Sequence, residues 1–420
     1  MQASITLDKP AHSYVLRDYQ EDAVRAGVDF FRRKSGPNEI LVLPTGSGKS
    51  LIIAGIADEL NEPILVLQPT KEILAQNYGK YISFGNSAGV FSASIGRKDI
   101  EKVTFASIMS IMAKDKGGRQ KSMQHFLHYK HIIIDEAHLL VNPKGGQMKD
   151  FLDMLGNSRV LGLTATPFRL HPHTDRNGTR DSMLKFLTRT SPRIFAKVAY
   201  HIQISELKER GFLAHLKYYP QTKVLDHLFN RKAIKVNSTG ADFDERSLRD
   251  YYKTSNFNYD VINTINRVNK AGRRCLAFVS FVEDAQFISW TLGDRSATVH
   301  GKTPDNERYR IEKDFKEGRL DSVVNVGCWA VGFDDEDLSC VIIARPMRSL
   351  ATYYQMIGRG MRKPKHMPNK DCWVLDLCAN MEIFGKVEDL KVGFDIKGLP
   401  TITGTNGKLL TGVPLSSNEN

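Results

Sequence analysis

EILVLPTGSGKSLIIAGIADEL, residues 39–60, passes from a short apolar run through a glycine-bearing turn into a helical pattern. The run at 39–43 is short and rich in Ile, Leu and Val, as a strand buried on both faces must be. The turn reads GxGK[ST], a shorter form of GxxxxGK[ST], because Gly46 and Gly48 sit differently from the full pattern. Glycines there let backbone N–H groups wrap phosphate oxygens at a helix N-terminus. In such a turn Thr45, Gly46, Ser47 and Gly48 line the phosphates, Lys49 reaches the β- and γ-phosphates, and Ser50 ligates Mg²⁺. The plainer alternative is a strand-to-helix turn with one surface lysine. The flanking strand and helix favour the phosphate loop.

Outward from this point the same alternation recurs. Apolar runs stand at 64–68, 102–106, 131–135 and 159–163, and again at 274–279, 296–300, 321–326, 340–344 and 372–377. Each is separated by enough chain for a crossover helix, which predicts buried parallel strands in α/β units. Helices are expected after Lys49, from Lys71 to about Phe84, after Val282, from Pro304 to about Lys316, and from Leu350 to Gly358. The alternation weakens between about Leu170 and Tyr259. The stretch 171–193, with five Lys or Arg against two Asp, reads as a polar loop-like insertion. Residues 202–211 and 238–252 have helical character. From Val387 onward Gly, Thr, Ser and Asn dominate, and that stretch reads as peripheral or partly disordered.

Two further segments carry chemistry. HIIIDEAH, 131–138, ends an apolar run on Asp135 and Glu136, where ligands meet the C-terminal edge of a parallel sheet. Asp135 there suits a Mg²⁺ ligand and Glu136 the orientation or deprotonation of the attacking water. Taken alone, the acids also fit a helix N-terminus. QMIGRGMR, 355–362, places Arg359 and Arg362 three apart, expected on one helical face. Such arginines either neutralise a transferring γ-phosphoryl group or are plain solvated or DNA-facing cations.

The 420 residues hold 59 Lys and Arg against 47 Asp and Glu, a net +12, which points to an acidic partner such as nucleic acid or an anionic membrane. No run of 18 apolar residues exists, so a transmembrane helix is excluded, and the first residues lack a secretory pattern. Five widely spaced cysteines without a CxxC pair argue against a disulfide framework or structural zinc and for a reducing cytosol.

In this order the motifs resemble those of superfamily-two helicases over roughly residues 16–380. LRDYQ at 16–20 resembles the Q motif, with Arg17 and Gln20 at the nucleotide and Gln20 on the adenine edge. PTGSGKS resembles motif I, PTKEILAQ (69–76) motif Ia, FASIMS (105–110) motif Ib, DEAH motif II and LGLTATPFR (161–169) motif III. LAFVSFVEDA (276–285), HGKTP (300–304), NVGCWAVGFDDEDL (325–338) and QMIGRGMR resemble motif IV, the element after it, and motifs V and VI. The combination is most similar to RadD-type and phage-encoded DNA helicases of the DEAH-box kind, without the cysteine-rich C-terminal segment expected in longer bacterial members.

The resemblance implies an α/β chain of two tandem RecA-like lobes with mostly parallel sheets and the nucleotide cleft between them. Its boundaries would be 1–205 for the first lobe, 206–258 for a joining region, 259–385 for the second lobe and 386–420 for a C-terminal tail. Lys49, Asp135, Glu136, Gln355, Arg359 and Arg362 would be catalytic, with ATP and Mg²⁺ as cofactors. Gly332 and Asp334 would join the nucleotide set, and His138, Thr164 and Thr166 would couple nucleotide state to movement. Thr70, Lys71, Ser107, Arg169, Ser280, Gly301 and Val326 would line a strand path through backbone amides, hydroxyls and cations. Each hydroxyl also fits a helix cap or turn. Phe281 is either a base-stacking or a core aromatic.

The motif forms favour DNA, whether single-stranded, forked or branched, over RNA. A monomer in the cytoplasm of a bacterium or phage-infected host is expected, with no membrane role. The leading expectation is an ATP-dependent DNA helicase acting in repair, recombination or replication. The alternatives are an RNA-dependent ATPase or helicase, and a motor subunit that translocates without unwinding.

Overall fold

The computed structural model of the chain describes residues 15–114, 122–140, 146–174, 180–191, 193–329, 333–364 and 366–415. They divide into two compact units, the first holding residues to Pro167 and Leu187–Ile202, the second Phe168–Phe186 and Gln203 onward.

In the first unit the strands are β1 (Glu39–Val42), β2 (Ile64–Gln68), β3 (Gly89–Ser92), β4 (Arg97–Lys98), β5 (Val103–Ser107), β6 (His131–Asp135) and β7 (Arg159–Thr164). After the hairpin β8 (Phe168–Thr174) and β9 (Arg180–Phe186), which belongs to the second unit, β10 (Lys197–His201) completes the first sheet. Its order is β10-β1-β7-β6-β2-β5-β3-β4, parallel throughout except for β4 on β3. β1 and β2 are buried at every position, as their unbroken apolar runs require. Because the strands run parallel, the ends of β1, β2, β5, β6 and β7 all open on one edge. The strand ends and the segments after them carry Thr45–Ser50, Thr70, Ser107, Asp135–Glu136 and Thr164–Thr166.

The second unit has β11 (His215–Tyr219), β12 (Cys275–Val279), β13 (Ser296–His300), β14 (Ser322–Val326), β15 (Cys340–Ala344) and β16 (Asp371–Asp376) in the order β11-β16-β15-β12-β14-β13. All its pairings are parallel. Residues 206–258, expected as a joining region, supply the edge strand β11. They also place Val224, Phe229, Ile234, Leu248 and Tyr252 in one core with Cys275, Ala277 and Ile342 of the sheet. Each such side chain contributes about 1.5–3 kcal/mol by leaving water, so this segment is part of the unit's core.

The stretch at 171–193 is corrected by the structure: β8 and β9 form an antiparallel hairpin with Phe168 opposite Phe186 and Leu170 opposite Leu184. The apolar pairs are the hairpin's packed positions. His171, Pro172 and His173 between them hide the alternation from a sequence reading. Asp181 on β9 meets Arg348 at 2.7 Å, with both side chains under 10% exposed, so removing either partner should cost about 3–5 kcal/mol.

The C-terminal stretch is structured as well, as far as Leu415. β17 (Lys391–Phe394) and β18 (Pro400–Thr403) pair antiparallel, Met183 and Leu184 bridge to Pro414 and Thr411, and Leu410 and Leu415 are buried. The expected helices form at Lys49–Leu60, Lys71–Ser83, Val282–Leu292, Asp305–Lys316 and Leu350–Gly358. Among the described residues no helix is long and apolar enough to cross a membrane. Cys275, Cys340, Cys372 and Cys378 are buried and Cys328 is partly so, and burial pushes the thiol of Cys275 well up.

Candidate functional site

After β1 the chain turns through Gly46 and Gly48, at φ +84° and +82°, into the helix that begins at Lys49. That left-handed backbone suits glycine. At Gly48 a Cβ would also come within 2.4 Å of Gln20 Nε2. Gln20 Nε2 and Tyr19 Oη both donate to the Ser47 carbonyl, at 2.8 and 3.0 Å, while Gln20 Oε1 accepts from Arg17 N at 2.9 Å. Gln20, expected on the adenine edge, thus uses both ends of its amide to brace the glycine turn against the first helix, Asp18–Arg32. Thr45 and Ser47 are buried, and Ser47 Oγ has no hydrogen-bond partner among the described residues. Gly46, Lys49 and Ser50 are partly exposed.

β6 ends in Asp135, and Glu136 follows at φ +45°, a backbone that non-glycine residues rarely adopt and that concentrates at functional sites. This turn brings Glu136 Oε1 to 3.1 Å from Lys49 Nζ and Glu136 Oε2 to 3.4 Å from His138 Nδ1. His138 Nδ1 lies 2.8 Å from Thr164 Oγ1, which also accepts the Thr166 amide at 3.0 Å. Thr166 Oγ1 is buried without a hydrogen-bond partner among the described residues. The lysine of one motif, the acid and histidine of a second and the threonines of a third therefore share one connected cluster in the first unit.

Asp135 is 3% exposed; its Oδ2 accepts from Asn77 Nδ2 at 2.7 Å and its Oδ1 from the Glu136 amide at 2.9 Å. Burial first, and then the like charge of Glu136, push its carboxyl up to about 6, against the pull of Lys49 and Asn77. A buried acid whose ionisation is opposed in this way fits a divalent cation, which would favour its charged form. Asp135 and Ser50 are the residues that would hold Mg²⁺. Asn77 and Tyr19 escaped the sequence reading. Asn77 sits on the Lys71–Ser83 helix with no motif signal beyond its helical position.

In the second unit the helix Leu350–Gly358 stops before either arginine. The expectation that Arg359 and Arg362 share a helical face is corrected: Arg359 is the C-cap and Arg362 lies past the turn that follows. They converge by another route. Arg359 Nη1 donates to the Phe333 carbonyl at 2.7 Å, Arg362 Nη1 donates to the same oxygen, and Arg362 pairs with Asp334 at 2.6 Å. Gln355 is buried, and its carbonyl accepts Arg359 Nε at 3.2 Å. Gly332 lies outside the described residues.

The strand-path candidates fall in separate places. Thr70 caps its helix by accepting the Ile73 amide at 3.3 Å, and Lys71 and Ser107 lie partly exposed at the same sheet edge. Arg169 lies on β8, half-buried and opposite Lys185. Ser280, Gly301 and Val326 do come together, at the ends of β12, β13 and β14, lining an open cleft of about 950 Å³ with Lys302 and Arg249. Ser280 Oγ lies 2.9 Å from Tyr252 Oη.

Comparison with known proteins agrees with this division. Residues 13–169 match the family described as "Type III restriction enzyme, res subunit", and residues 258–364 match the helicase conserved C-terminal domain. A helicase candidate of Saccharomyces cerevisiae, IRC3, is 26% identical over 390 residues, covering 86% of this chain and 51% of the relative. The DNA 3'-5' translocase XPB2 of Sulfurisphaera tokodaii is 24% identical over 375 residues, covering 83% of this chain and 79% of the relative. The chain thus spans about half the length of the yeast relative. Among solved structures, the DNA-bound Type ISP restriction-modification enzyme LlaBIII matches with a TM-score of 0.60 at 14% identity, over 87% of this chain and 28% of that one. That likeness supports the α/β fold with mostly parallel sheets, resembling tandem RecA-like lobes. The two matched domains, in this order, support a helicase of superfamily two.

Proposed function

We propose that this chain is an ATP-dependent DNA helicase or translocase that couples ATP hydrolysis to movement along single-stranded, forked or branched DNA. The observation that carries the reading is the Lys49–Glu136–His138–Thr164 cluster at the C-terminal edge of the first sheet. Lys49 and Glu136 neutralise one another there. Lys49 turning to the β- and γ-phosphates would free Glu136 to orient or deprotonate the attacking water. Bound Mg²⁺ would neutralise charge on the phosphate oxygens. Glu136 and Thr164 both meet His138 Nδ1, so a change at the acid reaches the segment that leads through Thr166 into β8. Arg359 and Arg362 would supply the positive charge for the transferring γ-phosphoryl group, with Gly332 and Asp334 beside the nucleotide and Gln355 completing the catalytic set.

Strand contacts would come from Thr70, Lys71 and Ser107 of the first unit and from Arg169, Ser280, Gly301 and Val326 of the second. The motif forms support the DEAH-box, RadD-like reading, with work on repair, recombination or replication intermediates as a cytoplasmic monomer. A translocase that does not separate strands is the second reading, favoured by the restriction-enzyme family match and by the archaeal relative, a DNA 3'-5' translocase.

ATPase assays with single-stranded DNA, forked DNA and RNA, followed by strand displacement on 3′- and 5′-tailed forks, test the assignment. DNA stimulation with displacement is the expected result. DNA stimulation without displacement selects the translocase. Stimulation by RNA alone overturns the DNA reading.

A further inference from the structure

The cleft at the ends of β12, β13 and β14 has a second wall that no strand motif supplies. It comes from residues 237–249 and includes Arg249 on the helix Glu245–Thr254. The Arg249 guanidinium lies 3.9 Å over the centre of the Phe281 ring. Its Nε and Nη2 donate to Glu245 Oε1 at 3.1 and 2.9 Å, and its Nη1 donates to Glu283 Oε1 at 3.0 Å. The Phe281 ring lies beneath the group and two carboxylates hold its nitrogens. The side chain is still 36% exposed and lines the cleft. Phe281 itself is 8% exposed, so what a ligand meets is the guanidinium.

A cation held this way is poorly suited to a phosphate. Glu245 and Glu283, 69% and 67% exposed, offset its charge and would repel an approaching phosphate oxygen. It is well suited to a nucleobase: the plane is preorganised, its orientation is fixed by three hydrogen bonds, and guanidinium planes stack on bases. Lys302, exposed on the same cleft beside Gly301, is the residue chemically suited to a phosphate.

We infer that Arg249, fixed on Phe281 by Glu245 and Glu283, is a stacking platform for one unpaired nucleobase of a strand lying in this cleft. The inference rests on the DNA-motor reading above and adds a base contact to a path otherwise made of backbone, hydroxyl and cationic groups.

The test is fluorescence anisotropy with the full chain, using a labelled 12-nucleotide oligothymidylate and an abasic oligomer of the same length, each at several salt concentrations. Arg249→Ala and Arg249→Lys are both expected to weaken oligothymidylate binding by about 10-fold, the scale of one lost base stack. Both should leave abasic binding and the salt slope unchanged. Lys302→Ala should weaken both oligomers and lower the slope by about 0.7, the single-strand value for one phosphate contact.

Equal loss on both oligomers, rescue by Arg249→Lys, or a fall in slope with Arg249→Ala overturns the platform in favour of a phosphate contact. Arg249 variants that bind as the wild type overturn it while leaving the motor reading intact. A wild type that binds neither oligomer overturns both. Melting curves of each variant separate these results from misfolding, because a folded variant with the thymidylate-specific loss supports the platform and an unfolded Arg249→Ala leaves Arg249→Lys to decide.

Discussion

The charged residues of the two units are held in different ways. In the first unit Lys49, Glu136, His138 and Thr164 meet one another side chain to side chain. In the second, Arg359 and Arg362 both donate to the carbonyl of Phe333, and Arg362 also meets Asp334. A buried cation must have partners, or its desolvation is uncompensated. The first unit's cluster can exchange one charged partner for a phosphate by side-chain rotation. The second unit's arginines are anchored to backbone, so engaging a phosphate means leaving, or moving with, the Phe333 segment.

The largest expected effect comes from breaking the first arrangement. Glu136→Gln should lower steady-state ATP turnover by about 10⁴-fold with ATP affinity retained, measured by phosphate release and by equilibrium binding of ATP. Turnover at the wild-type rate would remove Glu136 from the chemistry. Next, Arg362→Ala should reduce kcat by about 10³-fold and change KM for ATP by much less. An equal loss in both would place Arg362 in ground-state binding.

Asp135 gives a smaller, pH-shaped effect. Its carboxyl titrates near 6 in the folded chain against 3.8 for the ordinary side chain. The folded state therefore binds the proton more tightly, and this contribution to stability is full below pH 3.8 and lost as pH rises through about 6. Asp135→Asn without nucleotide should accordingly gain in Tm relative to the wild type as pH rises from 4 to 7, and then level off. A difference independent of pH would mean that Asp135 is not held near 6.

The smallest effect is expected at the sheet edge. Lys71→Ala should lower the salt slope of single-stranded DNA binding by about 0.7, and an unchanged slope would take Lys71 off the strand path.

Much of this was legible in the order of residues. Runs such as Ile64–Gln68 and Cys340–Ala344 are buried on both faces, so they carry a strand signal that needs no partner to be recognised. The glycine turn at 46–48 was legible for the same local reason, since positive φ selects glycine. The hairpin β8–β9 was not, because its apolar residues Phe168, Leu170, Leu184 and Phe186 mean little until paired across the turn. Nor was β11, whose sequence HLKYY alternates weakly and becomes a strand by adding to β16.

The sequence by itself determined the α/β alternation, the phosphate turn before the Lys49 helix and the two acids at the end of β6, because backbone conformation and burial period are local properties. Only the tertiary structure decided that residues 206–258 share the second unit's core and that Asn77 braces Asp135. It alone showed that Arg359 and Arg362 meet at one carbonyl and that the Arg249 guanidinium lies over the Phe281 ring. Asn77 and Asp135 stand 58 positions apart, Arg359 and Phe333 stand 26 apart, and the energies of such contacts depend on distances that no spacing along the chain encodes.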